Sequence, residues 1–254
     1  MERCAQYIEE HFKKHCDTVY RQTYFIQGKS YCNVIGKKFG NEKVLVIGAH
    51  YDVCGDQQGA DDNASGVAGL LELSRCVNAS PSSPTLEFVA YTLEEPPYFR
   101  TEFMGSFLHA KVLAESGVDV IGMISLEMIG YFSDQANSQT YPMKALKLVY
   151  GKKGNFITLV RKLGSSRFER KFSRKFKHAR RIKTKRFTAP VSMPGIDFSD
   201  HLNYWEMGFP ALMITDTAFM RNFKYHTKGD VPERLDYTRM SETINATAIA
   251  VLEF

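Results

Sequence analysis

The hydrophobic pattern of the chain changes character after its first forty residues. Residues 2–15 carry helix-like periodicity. Two extended runs follow, 18–27 and 30–38, rich in Tyr, Phe, Val and Ile and separated by Gly28. Beyond them strands and helices alternate. A short apolar strand is expected at 44–48, a helix at 65–77 with Val67, Leu70, Leu71 and Leu73 inside, a strand at 86–92, a helix at 104–115 and a strand at 120–126. Residues 145–150 read as another strand, 155–177 as broken helix and 181–187 as extended. A helix at 199–207, a strand at 211–215 and a closing helix at 240–254 complete the series. Such alternation predicts an α/β fold of three layers, α/β/α, around a central mixed, largely parallel sheet covered on both faces. With no internal repeat and no linker, residues 1–254 read as a single domain, and Ser80-Pro-Ser-Ser-Pro84 as a surface loop.

Composition adds exclusions. At 254 residues, 44% hydrophobic and 24% charged, the chain has globular composition and is not a disordered segment. A chain of this length buries about three quarters of its unfolded surface, so its core needs neither disulfides nor a structural metal. Any metal is then expected to do chemistry. No stretch reaches the roughly 18 consecutive apolar residues of a membrane span. The five cysteines, Cys4, Cys16, Cys32, Cys54 and Cys76, are odd in number and form no CxxC pair. They read as reduced thiols, with a bridge such as Cys16 to Cys32 the less favoured alternative. The N-terminus has no apolar signal core, so a signal is either lacking or already removed, and part of the native N-terminus is expected to be missing. The compartment, cytoplasmic or exported, stays open.

Charge is unevenly placed. Residues 161–186 hold thirteen Lys/Arg against the single acid Glu169, a local +12 that leaves −7 on the rest of a chain whose net charge is +5. Phe168, Phe172 and Phe176, at i, i+4 and i+8, place one apolar side on this segment. An amphipathic helix docked on the core is the expectation. No aromatic RNA-binding motif accompanies the basic stripe, and no nucleic-acid partner is expected.

In an open α/β sheet, ligands gather at the carboxyl ends of the strands. The residues expected there are His50 and Asp52, then Asp61 and Asp62, then Glu94 and Glu95, then Glu127, and finally Tyr225 and His226. Clustered acids repel one another unless cations neutralise them, and a His/carboxylate set without thiolates suits zinc or a similar divalent ion. Two ions sharing one carboxylate would satisfy the set. Of the Glu94-Glu95 pair, one side chain can ligate while its neighbour acts as general base and acid. Each group alone has a plainer explanation, such as a helix cap for Asp61-Asp62-Asn63. Only their joint placement at strand ends points to a centre. His11, His15, His109 and His178 fall on expected helices and are read as structural.

The motifs Gly48-Ala-His-Tyr-Asp52, Gly59-Ala-Asp-Asp-Asn-Ala-Ser-Gly66, Phe88-Val-Ala-Tyr-Thr-Leu-Glu-Glu95, Met104-Gly-Ser106, Ser125-Leu-Glu-Met-Ile-Gly130, Ser199-Asp-His201 and Tyr225-His-Thr-Lys-Gly-Asp230 run in one order along the chain. In this the sequence resembles the co-catalytic zinc aminopeptidases, the M28-type metallopeptidases, whose relatives include glutamate carboxypeptidase-like enzymes and mono-zinc glutaminyl cyclases. The resemblance implies a zinc-exopeptidase fold. It implies that Asp61 bridges two zinc ions, that Glu95 and His226 complete one site and that His50 and Glu127 complete the other. It makes Glu94 the general acid/base, and it implies a strained peptide at Asp61-Asp62. Asp52 would orient His50, and Asp62, Asp200, His201 and Tyr225 would stand behind the ligands or near the substrate.

Two departures from the family pattern shape the expectation. Glu127 stands where Asp is usual, so the second ion is in question and zinc is expected as two ions or as one. Residues 96–104 lengthen the loop after Glu95, and Tyr98, Phe99 and Phe103 are expected to line the substrate pocket. The leading reading is a zinc-dependent exopeptidase, an aminopeptidase acting on peptides with a free N-terminus through a metal-bridging hydroxide. The alternative is a glutaminyl cyclase making N-terminal pyroglutamate.

Overall fold

A computed structural model describes all residues, 1–254. Its eight strands are β1 (Thr18–Ile26), β2 (Lys29–Lys38), β3 (Asn41–His50), β4 (Pro84–Tyr91), β5 (Val120–Glu127), β6 (Ile157–Lys162), β7 (Thr184–Ala189) and β8 (Ala211–Thr215). They form one sheet in the order β1-β2-β4-β3-β5-β8-β6-β7. The middle four, β4, β3, β5 and β8, run parallel, while β1, β2 and the β6–β8 pairing are antiparallel. This is the mixed, helix-covered α/β sheet that the alternation predicts.

The apolar run of β3 shows why the layers form. Leu45, Ile47 and Ala49 point into one core and Val44 and Val46 into the other, so a strand apolar at successive positions must be covered twice. The first face receives α1 (Glu2–His15), α2 (Gly66–Cys76), α5 (Arg167–His178) and α7 (Tyr237–Val251); the second receives α3 (Gly105–Glu115) and α6 (His201–Glu206). In α5, Phe168, Phe172 and Phe176 are buried in the larger core, and Arg167, Arg170, Arg174 and Lys177 face solvent. The basic stripe is thus the free side of a docked helix.

Two expectations are corrected. Residues 145–150 are not a strand but a short helix, α4 (Leu146–Tyr150), with Leu148 and Val149 exposed. Short apolar runs do not declare their period, and both strands that could flank a new one, β6 and β8, are already paired. The broken helix over 155–177 is a strand followed by a helix. Ile157 and Leu159 join one core and Val160 the other, a period of two; Gly164, at φ 80°, then turns the chain, and Ser166 caps α5 by accepting from the Phe168 amide at 3.1 Å. The Phe spacing of α5 does not extend back across that turn.

Candidate metal centre

The four parallel strands end at one edge, and the acids and histidines collect there. His50 is the last residue of β3 and Glu127 the last of β5; Glu94 and Glu95 follow β4. Asp61 and Asp62 sit in the helical turn Ala60–Ser65 ahead of α2, and His226 comes from the loop between β8 and α7. Leu93, Met128 and His226 adopt left-handed backbone, with φ of 62°, 50° and 55°. Such conformations cost non-glycine residues about 1–3 kcal/mol each. Here the fold spends that stability in redirecting the chain beside Glu94, beside Glu127 and at His226 itself.

Asp62 stands between the two histidines. Its Oδ1 is 3.4 Å from His50 Nε2 and its Oδ2 is 3.1 Å from His226 Nε2. On one side His226 Nε2 also lies 3.1 Å from Glu95 Oε2. On the other, His50 Nε2 is 3.4 Å from Glu127 Oε2 and 3.9 Å from Glu94 Oε2. Although longer than aspartate, Glu127 reaches His50, and Ser199 Oγ steadies it by donating to Oε2 at 2.8 Å.

Asp61 does not occupy the place the resemblance implies. Its Oδ1 accepts from the Gly130 amide at 3.1 Å and from Ser65 Oγ, and its Oδ2 accepts from Asn222 Nδ2 at 2.9 Å. These donors pull the carboxylate away from the histidines, and burial pushes it up to about 6. Within the same turn, the peptide bond between Asp62 and Asn63 is cis.

Residues behind the cluster fix its members. Asp52 accepts from the amides of Glu94 and Glu95 at 3.2 and 3.0 Å, and its own carbonyl lies 3.2 Å from His50 Nδ1. It therefore aims His50 Nε2 at the cluster and sets the Glu94-Glu95 pair. Asp230 accepts from the amides of Asp61 and Asp62 at 3.1 and 3.0 Å, pinning the turn. Asn63 joins that turn to the end of β5 by donating to the Leu126 carbonyl at 2.9 Å and accepting from the Met128 amide at 3.0 Å. A Cβ on Gly66 would lie 2.5 Å from the Leu126 carbonyl oxygen, so this approach requires glycine. Tyr225 stacks on His226 with 3.7 Å between ring centroids.

Electrostatics divides the carboxylates. Against the cost of burial, pairing with His226 and His50 holds Asp62 at about 2. Burial pushes Glu95 up to about 7, offset in part by His226. Glu94 is driven well above the ordinary range by burial, with Glu127, Asp200 and Glu95 adding to the rise against the pull of His50. Burial lowers His226, but Asp62 and Glu95 more than reverse it, to about 9. His50 Nε2, Asp62 Oδ2, Glu95 Oε1 and His226 Nε2 are all buried without a hydrogen-bond partner. Converging orphans of this kind, two nitrogens and two carboxylate oxygens, are a donor set that fits zinc.

Asp200 and His201 part company. Asp200 is 1% exposed and buried beside the cluster, where burial pushes it up to about 7. His201 instead faces the core: its Nε2 meets the Ile196 carbonyl at 2.7 Å and its ring packs edge-on against Trp205. It therefore does not reach the substrate side. Burial holds His201 at about 4. A histidine kept neutral in the fold contributes stability that is complete above its unfolded value near 6.5 and is lost as pH falls toward 4. Urea unfolding of the parent chain is expected to lose roughly 3 kcal/mol over that interval from this group, and His201→Gln is expected to flatten that part of the profile. An unchanged slope in the variant would contradict the assignment.

An apolar cavity opens beside Glu127, lined by Tyr141, Tyr150, Phe156, Phe198 and Phe219 among others. The expected lining from residues 96–104 is not found there. Tyr98 packs on Tyr31 and Phe103, and Phe99 packs on Phe198, itself a residue of the cavity lining.

Sequence reasoning missed Asn63, Asp216, Arg221 and Asn222. Arg221, 1% exposed, donates to Gln139 and to the Tyr131 carbonyl and neighbours Asp216 and Asp61. Asp216 directly follows β8, and the strand-end rule applied to that position would have found it.

The family model for peptidase family M28 matches residues 33–251, and the chain belongs to that family. YfbL of Escherichia coli strain K12, an uncharacterized protein, is 40% identical over 255 residues, covering 96% of this chain and 78% of its own. Among solved structures, a zinc aminopeptidase from Bacillus subtilis superposes with a TM-score of 0.66 at 22% identity, over 90% of this chain and 51% of that one. The glutaminyl cyclase of Tannerella forsythia gives 0.70 at 20% identity, over 100% and 90%. The chain thus spans about half the length of the Bacillus aminopeptidase. No helix is long and apolar enough to cross a membrane.

Proposed function

We propose that the protein is a zinc-dependent aminopeptidase that removes the N-terminal residue of peptides. The observation that carries this is the single carboxylate, Asp62, set between two histidines that each have a further carboxylate beside them, with Glu94 adjacent. Asp62, Glu95 and His226 would hold one ion, and Asp62, His50 and Glu127 a second. Zinc bound there supplies Lewis acidity toward a carbonyl oxygen and toward water. Glu94 takes a proton from the water that attacks the first peptide carbonyl and passes it to the departing amine nitrogen. The cavity beside Glu127 receives the side chain of the N-terminal residue, and its aromatic wall favours apolar ones.

The test is mass spectrometry of zinc-loaded protein incubated with two peptides, one beginning with Leu and one with Gln. Release of free leucine, abolished by a chelator and restored by zinc, is the expected result. Loss of ammonia from the Gln peptide without cleavage of either would replace this reading with the glutaminyl cyclase.

A further inference from the structure

The loop leaving β3 carries a thiol that the chemistry above does not use. Cys54 is half-buried, and its Sγ, a carboxylate oxygen of Glu95 and a ring nitrogen of His226 all lie within 4.8 Å of one another. Any three points so spaced have a common point no more than about 2.8 Å from each, close to zinc–ligand distances of about 2.0–2.3 Å. Small side-chain rotations close the difference. Two of these three groups offer unpartnered buried atoms, since Glu95, 4% exposed, leaves Oε1 without a hydrogen bond and His226 leaves Nε2 without one. The other four cysteines are also free, but only Cys54 belongs to a cluster of metal-ligating side chains.

A divalent ion bound beside Glu95 and His226 would draw out the Cys54 thiolate, because a thiol that coordinates a cation gives up its proton.

We infer that Cys54 is a ligand of the ion held by Asp62, Glu95 and His226. This rests on the metal-centre reading above. On binding, the S–H bond breaks, a metal–sulfur bond forms and the proton leaves to solvent. The two halves of the centre then differ in kind: one has a sulfur donor, and the other, His50 with Glu127, has only nitrogen and oxygen. Sulfur makes the first half selective for zinc over harder ions such as magnesium or manganese. It also gives that half four protein donors, a closed set, so Cys54 competes with substrate for the ion and must swing away for turnover.

Cobalt(II) loading of the whole chain tests this. Visible ligand-field bands report the bound ion whatever its ligands, and a thiolate ligand adds an intense near-ultraviolet sulfur-to-cobalt band. The wild type is expected to show both, and Cys54→Ser to lose the near-ultraviolet band while keeping the visible ones. Visible bands without the near-ultraviolet band in the wild type, or a near-ultraviolet band that survives in Cys54→Ser, would overturn the proposal and leave the metal centre standing. Failure of the wild type to bind cobalt would overturn the proposal and the metal centre together.

Discussion

Glu94→Gln is expected to lower kcat by about 10²–10⁴-fold, the contribution of a positioned acid/base, while the zinc content of the purified protein stays at the parent level. The two carboxylates after β4 are adjacent in sequence but differently placed. Glu95 Oε2 lies 3.1 Å from His226, within the ligand cluster, whereas Glu94 Oε2 comes no nearer than 3.9 Å to His50. Glutamine matches Glu94 in size and keeps the backbone amide that donates to Asp52, so the variant leaves the cluster assembled. What it removes is the ability to take up and release a proton. Burial already holds this carboxyl well above the ordinary range, so it has a strong tendency to take up a proton in the site. Glu95→Gln provides the contrast, because its expected result is loss of zinc and turnover together. Activity of a test peptide and elemental zinc on the same preparations distinguish the two. Full turnover in Glu94→Gln, or zinc loss equal to that of Glu95→Gln, would remove Glu94 from the proton-transfer role.

Much of the fold could be read from the sequence because burial imposes periodicity on it. The strand of residues 44–48 and the helix over 65–77 are recognisable because β3 is covered on both faces and α2 lies against the sheet. Residues 145–150 misled because the short apolar run is not sheet-bound: Leu148 and Val149 face solvent. At the site, chain order and strand ends brought His50, Glu95, Glu127 and His226 to one edge. They do not say which of two consecutive acids turns inward. That choice depends on Gly130, Ser65 and Asn222, whose donors come from β5's continuation, from the turn itself and from the loop before His226. Only the folded chain brings those three together. The Cys54 cluster is hidden from sequence for the same reason, as its members lie on three separate loops.

The choice between the two aspartates leads to opposite variant phenotypes. Asp62→Asn is expected to strip zinc from both halves of the centre, because an amide has one acceptor oxygen and no charge with which to serve His50's side and His226's side together. Its affinity loss should exceed the about 10–100-fold that follows removal of a partner behind a ligand. Asp61→Asn is expected to keep its zinc and lose stability. The substitution replaces one acceptor oxygen by an amide nitrogen, so either Asn222 Nδ2 or the Gly130 amide loses its acceptor, and a buried donor left unpaired costs about 1–3 kcal/mol. Equilibrium dialysis against zinc and urea unfolding of the metal-free proteins separate the two effects. Zinc lost from Asp61→Asn and retained by Asp62→Asn would return the bridging role to Asp61, where the resemblance alone had placed it. The stability loss in Asp61→Asn should also reach the loop that carries His226, since Asn222 holds that loop to the turn through this one carboxylate. Amide exchange in residues 218–226 is therefore expected to quicken in Asp61→Asn while the middle of β3 stays protected.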